Sequence, residues 1–309
     1  MKAVILCGGR GRRLNESTEY IPKPLVEIAG KPILWHIIKI FAYQGVKEFI
    51  LCLGYKGEMI KDYFLKLEEK SNDFILDLKK NKIYHLTDND ELDITINFID
   101  TGDDSMTGAR IARIKKYIRD DEDFFITYGD GLGDINLREL YEYHKKIGRI
   151  GTLTAVHPVY WYGLVELNNE LITSFDEKPK MKDFINGGFM VFNKKVFNYV
   201  SEDKNCVFER EPLKKLAQDG QLAGYIHKGF WKAMDTQKDV DELEKIHQQG
   251  APWQIWKRID WISQKDSLKR LNDNLLNGGV NSFNITSQKA DDELNKIHEQ
   301  ELFERYKDE

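Results

Sequence analysis

The 309-residue chain has few cysteines, and the three that it has lie far apart in the sequence, at Cys7, Cys52 and Cys206. An odd, widely spaced set of this kind matches neither a disulfide framework nor the paired spacing of metal ligands. We therefore expect reduced thiols and a cytoplasmic protein, because stable disulfides are rare in the cytosol. The seven histidines also lack the spacing of a zinc site. His36 lies in an apolar segment and is expected to be a core residue.

Long hydrophobic runs are also missing. The apolar stretch at 3–6 ends at glycines, which makes it too short for the core of a signal peptide or for a membrane span. Positive charge is not in excess either, since 46 Lys and Arg stand against 51 Asp and Glu, a net charge of −5. We expect no membrane association and no nucleic-acid partner, and any basic site must be local.

Strand-like and helix-like segments alternate through the first half of the sequence. This order predicts an α/β protein in which helices cover both faces of a mostly parallel sheet. Apolar residues at helical spacing predict a helix that begins at Pro32 and ends near Gly45. Apolar runs at 3–6 and 124–128 predict buried strands, and the turn at Asn168-Asn169 predicts a hairpin added to the sheet.

The composition changes to polar and charged residues beyond the stretch APWQIW at 251–256. We therefore predict a domain boundary near 257, with residues 1–257 as the main domain. Residues 258–309 are predicted to form a helical extension, because they contain two amphipathic stretches separated by Gly278-Gly279.

The segment CGGRGRRL follows the first predicted strand and combines glycines with arginines. Because glycine has no Cβ, an anion can approach the backbone N–H groups of such a loop closely. The spacing is not that of a dinucleotide fingerprint, since Leu14 stands where the third glycine belongs. No Lys-Ser/Thr pair completes a Walker A loop. The segment predicts a phosphate-binding loop of another kind, and a tight turn with solvated arginines is the alternative.

Two further positions carry charge in constrained backbone. Lys23 stands between two prolines, which lower the entropy lost when its ammonium group is held against an anion. Asp130 lies between two glycines directly after a predicted strand, and ligands bind beyond the carboxyl ends of strands in open α/β sheets. Ordinary solvated loop or turn residues are the alternative at both positions.

Seven short motifs occur in a specific order: GGRGRRL, PKPLVEIAGKPILWH, DTGDDSMTGARI, TYGDGLGDIN, FDEKP, NGGFMVF and FWKAMDT. Together they resemble the sugar-1-phosphate nucleotidyltransferases from residue 1 to about 257, and among these the enzymes that use CTP and glucose 1-phosphate. The resemblance implies a Rossmann-like nucleotidyltransferase fold and transfer of a cytidylyl group from CTP to α-D-glucose 1-phosphate. The implied products are CDP-glucose, for dideoxysugar and surface polysaccharide (O-antigen) synthesis, and pyrophosphate.

The resemblance also implies Mg²⁺ as cofactor and a homo-oligomer, for which the tryptophan-rich segment that starts at APWQIW is a candidate interface. Use of dTTP, UTP or another sugar 1-phosphate stays open, as does an inactive regulatory relative. An active enzyme is favoured because the chain keeps all five expected charged residues, namely Arg13, Lys23, Asp130, Lys178 and Asp235. A nicotinamide-dependent dehydrogenase is a further alternative, which the missing third glycine disfavours.

The nucleotide site implied by the resemblance consists of Leu6, Gly8, Gly9, Gly11, Arg12, Arg13, Lys23, Ser105, Arg110, Gly129 and Asp130. Arg13, Lys23 and Asp130 are expected to be catalytic, with Arg13 at the β and γ phosphates and Lys23 near the α-phosphate. Arg12 replaces the threonine that is usual in resembling enzymes, and we expect it to point to solvent. Arg110 is expected near the base or the phosphates, the alternative being a pair with an exposed carboxylate.

The implied sugar-phosphate site consists of Glu177, Lys178, Gly187 and Gly188. Lys178 is expected to bind the phosphate, and the glycines of the Asn186-Gly187-Gly188 segment are expected to admit the sugar ring. Asp130 and Asp235 are the expected metal ligands, since Mg²⁺ favours one or two carboxylates together with phosphate oxygens and waters.

Overall fold

The structure is a computed structural model that describes residues 1–11, 14, 20–67, 73–85, 93–118, 121–160 and 162–258. Arg12 and Arg13 lie outside the described residues. So do residues 259–309, which make up nearly all of the predicted helical extension. The predicted roles of these residues and the boundary near 257 stay predictions.

A seven-stranded, mostly parallel sheet forms the centre of the described chain. Its strands are β1 (Lys2–Leu6), β4 (Glu48–Leu53), β7 (Thr95–Asp100), β8 (Asp123–Tyr128), β10 (Gly151–Val156), β13 (Ile185–Asn193) and β14 (Leu222–Ile226). Their order across the sheet is β14-β10-β13-β8-β1-β4-β7. β13 is antiparallel to both of its neighbours, and the other pairs are parallel. The predicted sheet is confirmed.

Six α-helices lie within the described residues: α1 (Ile33–Tyr43), α2 (Gly57–Leu65), α3 (Thr107–Arg113), α4 (Leu137–Ile147), α5 (Glu211–Gln218) and α6 (Gln237–Gln248). They cover both faces of the sheet. Along β1, Ala3 and Ile5 join a core with α1, α4 and α6, while Val4 and Leu6 join a second core with α3 and α5. A strand buried on both faces reads as the continuous apolar run seen in the sequence.

Helix α1 confirms its prediction from apolar spacing. Pro32 precedes its first residue with a fixed, extended backbone, and Ile33, Ile37 and Phe41 are fully buried along one face. The chain leaves the helix through Gly45, whose φ of 93° lies in the left-handed region that favours glycine.

Four small antiparallel pairs surround the main sheet: β2 (Glu27–Ile28) with β3 (Lys31–Pro32), β5 (Phe74–Asp77) with β6 (Lys82–His85), β9 (Gly131–Gly133) with β15 (Trp231–Ala233), and β11 (Leu164–Asn168) with β12 (Leu171–Asp176). The last pair is the predicted hairpin, and Asn169 in its turn has a φ of 55°. Every residue of its two strands is exposed. The β9–β15 pair brings distant segments of the chain together beside Asp130.

The stretch APWQIW folds back into the core of its own chain. Trp253 and Ile255 are fully buried, and the Trp256 ring stacks on the His36 ring with centroids 6.3 Å apart. Trp253 and Ile255 are therefore not available as the interface considered from the sequence. His36 is a core histidine as predicted, and its Nε2 lies 2.7 Å from the carbonyl oxygen of Ile28. Within the part of the chain that the structure describes, no helix has both the length and the hydropathy that a membrane span requires.

Candidate functional site

A cavity of about 630 Å³ opens at the carboxyl ends of β1 and β8. It is lined by Leu6, Cys7, Gly8, Gly9, Arg10, Gly11, Lys23, Pro24, Asp103, Asp104, Ser105, Met106, Thr107, Arg110, Tyr128, Gly129, Asp130 and Asp235. This set contains every predicted nucleotide-site residue that the structure describes, together with the second predicted metal ligand. Segments more than 200 residues apart in the sequence thus meet at the edge of the sheet where ligands bind in α/β folds.

Lys23 lies between the two predicted metal ligands. Its Nζ donates to Asp130 Oδ2 at 2.6 Å and to Asp235 Oδ1 at 2.9 Å. Burial lowers the pKa of Lys23, but the charges and hydrogen bonds of the two aspartates outweigh it and raise the pKa. The ammonium group is therefore fully charged at neutral pH. One cation already contacts both carboxylates, so the two are close enough to share a ligand.

Regular structure on each side fixes these two aspartates. Asp130 follows β8, and its carbonyl oxygen accepts from the Met234 N–H at 2.8 Å across the β9–β15 pair. Asp235 directly precedes Thr236, which forms a capping box with Asp239 at the start of α6. The Asp235 N–H also donates to the Asp239 carboxylate at 3.1 Å. The site is thus held by a strand end and a helix start.

Arg110 is only 3% exposed and contacts the glycine loop from within the protein. Its guanidinium donates to the carbonyl oxygens of Leu53 and Gly8 and to the Thr101 hydroxyl, each at 2.8 Å. Burial lowers the pKa of Arg110. The alternative of a pair with an exposed carboxylate is wrong. The arginine holds the backbone at Gly8 while its side chain also lines the cavity.

The glycines of the loop have different surroundings. A Cβ at Gly8 would overlap the Arg110 guanidinium, whereas a Cβ at Gly9 would have no atom within 4 Å. Gly8 therefore makes room for a side chain of the protein itself. Gly9 faces open space, as expected of a loop that receives a ligand. Gly11 has a φ of 60°, a conformation that side chains rarely adopt.

Ser105 also lies in the cavity wall, but a neighbouring arginine engages its hydroxyl. Arg113 Nη1 donates to Ser105 Oγ at 2.7 Å and to the Thr101 carbonyl oxygen at 2.6 Å. Sequence reasoning missed Arg10, which pairs with Asp104 at 2.8 Å on the rim. The signal was present, because Arg10 belongs to the same glycine-rich segment.

The predicted sugar-phosphate residues do not line this cavity. Glu177 and Lys178 follow β12, are both exposed, and form an ion pair at 3.5 Å. Gly187 and Gly188 lie in β13 and pack against the protein itself. A Cβ at Gly188 would lie 2.8 Å from Cδ2 of Tyr128. The Tyr128 ring thus fills the space in the Cβ direction of Gly188, and the role of this glycine toward the sugar ring stays a prediction.

No group of three or more His, Cys, Asp or Glu side chains among the described residues could hold a metal ion by itself. The predicted ligands Asp130 and Asp235 are two carboxylates on facing segments, both in contact with Lys23. An ion shared by two carboxylates still needs oxygens from elsewhere, and phosphates and waters provide them in many nucleotide sites.

A mostly parallel sheet with a glycine loop, a buried ammonium group and paired carboxylates beyond its strand ends defines a nucleotide-binding α/β protein. Residues 2–249 match the family model described as Nucleotidyl transferase, and the chain belongs to this family. The predicted family is confirmed.

Two relatives are matched over their whole length. The chain is 49% identical over 257 residues to the "Probable glucose-1-phosphate cytidylyltransferase" of Bacillus subtilis, with 83% of this chain and 100% of the relative covered. It is 44% identical over 259 residues to the "Glucose-1-phosphate cytidylyltransferase" of Salmonella typhimurium, with the same coverage. Among solved structures, HddC from Yersinia pseudotuberculosis aligns with a TM-score of 0.59 and 25% identity, over 80% of this chain and 99% of HddC.

Proposed function

We propose that the protein transfers the cytidylyl group of CTP to α-D-glucose 1-phosphate and releases CDP-glucose and pyrophosphate. Full-length relatives at 44% and 49% identity that carry this activity in their names support the substrate pair. The structural observation that carries the proposal is the contact of Lys23 with both Asp130 and Asp235 in a cavity beside the glycine loop. We place the product in cytoplasmic dideoxysugar and surface polysaccharide synthesis.

The chemistry requires positioning and charge more than a strong nucleophile. A phosphate oxygen of the sugar phosphate attacks the α-phosphorus, that P–O bond forms, and the bond to the leaving pyrophosphate breaks on the opposite side. Both reactants are polyanions, so the barrier comes largely from repulsion and misalignment. Lys23 holds positive charge beside the reacting phosphates, and the N–H groups near Gly9 and Gly11 bind phosphate oxygens. Arg13 is proposed to stabilise the leaving pyrophosphate.

The pair Asp130 and Asp235 fits a magnesium ion. Both carboxylates reach one cation, Lys23 Nζ, at hydrogen-bond distance, and together with phosphate oxygens and waters they would hold Mg²⁺. Mg²⁺ would supply charge neutralisation between the phosphates. Lys23, whose ammonium group contacts both carboxylates, would add positive charge beside the α-phosphate.

The exposed hairpin β11–β12 is proposed to serve the sugar phosphate and the assembly of the homo-oligomer. It ends at Glu177 and Lys178, the proposed ligands of the sugar phosphate. It also exposes large apolar side chains: Leu167, Leu171, Ile172 and Phe175 are each at least 60% exposed. Large exposed apolar side chains on one hairpin favour contact with another protein chain, and a second copy is the proposed partner. Light scattering of a Leu171→Ser/Phe175→Ser variant should show a smaller particle than the wild type.

The decisive experiment is a pyrophosphate-release screen of four nucleoside triphosphates against a panel of hexose 1-phosphates. CTP with glucose 1-phosphate should give the highest kcat/KM, by about 100-fold or more over the other pairs, a discrimination of roughly 3 kcal/mol. Preference for dTTP, UTP or another sugar would replace the substrate but keep the reaction. Release from no pair, by a folded preparation that binds nucleotide, would favour the inactive relative.

A further inference from the structure

The carboxylate of Glu209 joins two walls of the cavity. Its Oε1 accepts from the Tyr128 hydroxyl at 2.6 Å, and its Oε2 accepts from the Thr107 hydroxyl at 2.6 Å. Tyr128 ends β8 and Thr107 begins α3, and both residues line the cavity, whereas Glu209 does not. Hydroxyl-to-carboxylate bonds of this length are among the stronger hydrogen bonds of proteins. One side chain outside the cavity thus fixes two side chains within it.

The Thr107 side of this link belongs to the nucleotide wall. The Thr107 hydroxyl also accepts from the Phe208 N–H at 2.9 Å, so its oxygen is held both as donor and as acceptor. The Gly108 N–H donates to the Cys206 carbonyl oxygen at 2.9 Å. The segment that carries Glu209 is therefore bonded along the start of α3. The same helix supplies Arg110, which holds the carbonyl oxygen of Gly8.

The Tyr128 side of the link leads to the segment Asn186–Gly188 of β13, which lies outside the cavity lining. Asn186 Nδ2 donates to the Tyr128 hydroxyl at 3.3 Å, and the Gly188 N–H donates to Asn186 Oδ1 at 2.9 Å. The Tyr128 ring also packs against Gly188, whose φ of 80° excludes most side chains.

We propose that Glu209 is a positioning residue that couples the nucleotide wall of the cavity at α3 to the neighbouring segment Asn186–Gly188 of β13 through Thr107 and Tyr128. The names of the substrates rest on the proposed function, but the link itself rests on the two hydrogen bonds. Removal of the carboxylate releases both hydroxyls at once. Tyr128 then loses the contact that orients it toward Asn186, and the segment 186–188, proposed to contact the sugar phosphate, loses its fixed geometry.

Kinetics of Glu209→Ala test the coupling. KM for glucose 1-phosphate should rise about tenfold or more, with a smaller rise for CTP, because Thr107 keeps the Phe208 N–H as a partner while Tyr128 loses its acceptor. Glu209→Gln should restore most of the wild-type KM. Its amide oxygen can accept a hydrogen bond from one of the two hydroxyls, and its amide nitrogen can donate to the other. Tyr128→Phe should add little when Glu209 is already alanine. Glu202→Ala is the matched control, because Glu202 lies in the same segment and contacts Arg113 through its backbone carbonyl oxygen.

Hydrogen exchange provides a readout that does not depend on activity. Amides of α3 and of 186–188 should both exchange faster in Glu209→Ala than in the wild type and in Glu202→Ala, while the melting temperature changes by a few degrees. The proposal would be overturned by unchanged hydrogen exchange at α3 or at 186–188. It would also be overturned if Glu209→Ala had the same kinetics as Glu202→Ala in an active enzyme. If the wild type releases no pyrophosphate, the proposed function fails and exchange alone decides the role of Glu209. Should Glu209→Ala not fold, Tyr128→Phe removes one of the two hydrogen bonds to Glu209 and gives the same comparison at 186–188.

Discussion

Two lysines of this molecule, Lys23 and Lys178, are proposed for the same kind of task in very different surroundings. The Lys23 side chain is 12% exposed and donates to two carboxylates at the edge of the central sheet. The Lys178 side chain is 45% exposed and lies 3.5 Å from one exposed glutamate beyond a hairpin. The sheet thus supplies a site that is already assembled within one chain. We propose that ligand or another copy supplies the further partners of the hairpin lysine.

The first prediction tests the site at the edge of the central sheet and carries the largest effect. Asp130→Asn should lower kcat by about a thousandfold or more, because an amide cannot supply the charge that holds a metal between phosphates, a contribution of several kcal/mol. Circular dichroism should show an intact fold. Asp235→Asn should behave alike, and Asp62→Asn, on an exposed face of α2, is the control. Near-normal turnover of Asp130→Asn at low millimolar Mg²⁺ would contradict the assignment.

A second prediction tests whether the core behind this site is as fixed as the contacts indicate. His36 is 1% exposed, and burial lowers its pKa from 6.5 to about 4. Because the folded pKa lies below the unfolded one, the stability contributed by neutral His36 is complete above about pH 6.5. It is lost as the pH falls toward 4, by about 3 kcal/mol in total.

His36→Gln removes this titration and keeps a donor for the Ile28 carbonyl oxygen. When the pH falls from 7 to 4, the wild type should therefore lose about 3 kcal/mol more of its free energy of unfolding than His36→Gln loses. Urea denaturation of both proteins at the two pH values measures this difference. His157→Gln, at an exposed histidine, is the matched control. Parallel pH profiles for the wild type and His36→Gln would show that the histidine is not held neutral.

The third prediction concerns the exposed lysine beyond the hairpin β11–β12. Lys178→Ala should raise KM for glucose 1-phosphate about 10- to 100-fold, the range of a lost charged hydrogen bond, and leave CTP binding in calorimetry unchanged. Lys180→Ala, two residues further along the chain, is the matched control. Equal effects of both variants on KM would indicate a general loss of positive charge. Weakened CTP binding by Lys178→Ala would remove the distinction between the site at the sheet edge and the hairpin site.

The sequence predicts the site at the sheet edge better than the hairpin site, and the reason is physical. Lys23 and Asp130 were identifiable because proline and glycine constrain their backbone at strand ends, where ligands bind. The contact between Tyr128 and Glu209 joins residues 81 positions apart and leaves no periodic signal in the sequence. Likewise, the burial of Arg110 depends on how α3 packs against the glycine loop. Such contacts arise from tertiary packing, which local patterns do not encode.

The last prediction divides the glycine loop itself, where the sequence suggested one role for every glycine. Gly8→Ala should destabilise the protein by about 2 kcal/mol, because its Cβ would displace the buried Arg110 guanidinium, and overpacked sites cost roughly this much. Gly9→Ala should change stability by less than about 0.5 kcal/mol, as at an open position, yet raise KM for CTP, since its methyl group would point into space that the triphosphate needs. Urea denaturation and steady-state kinetics of both variants separate the two effects. An equal loss of stability in both would mean that Arg110 moves aside readily and that Gly8, like Gly9, is required by the ligand alone.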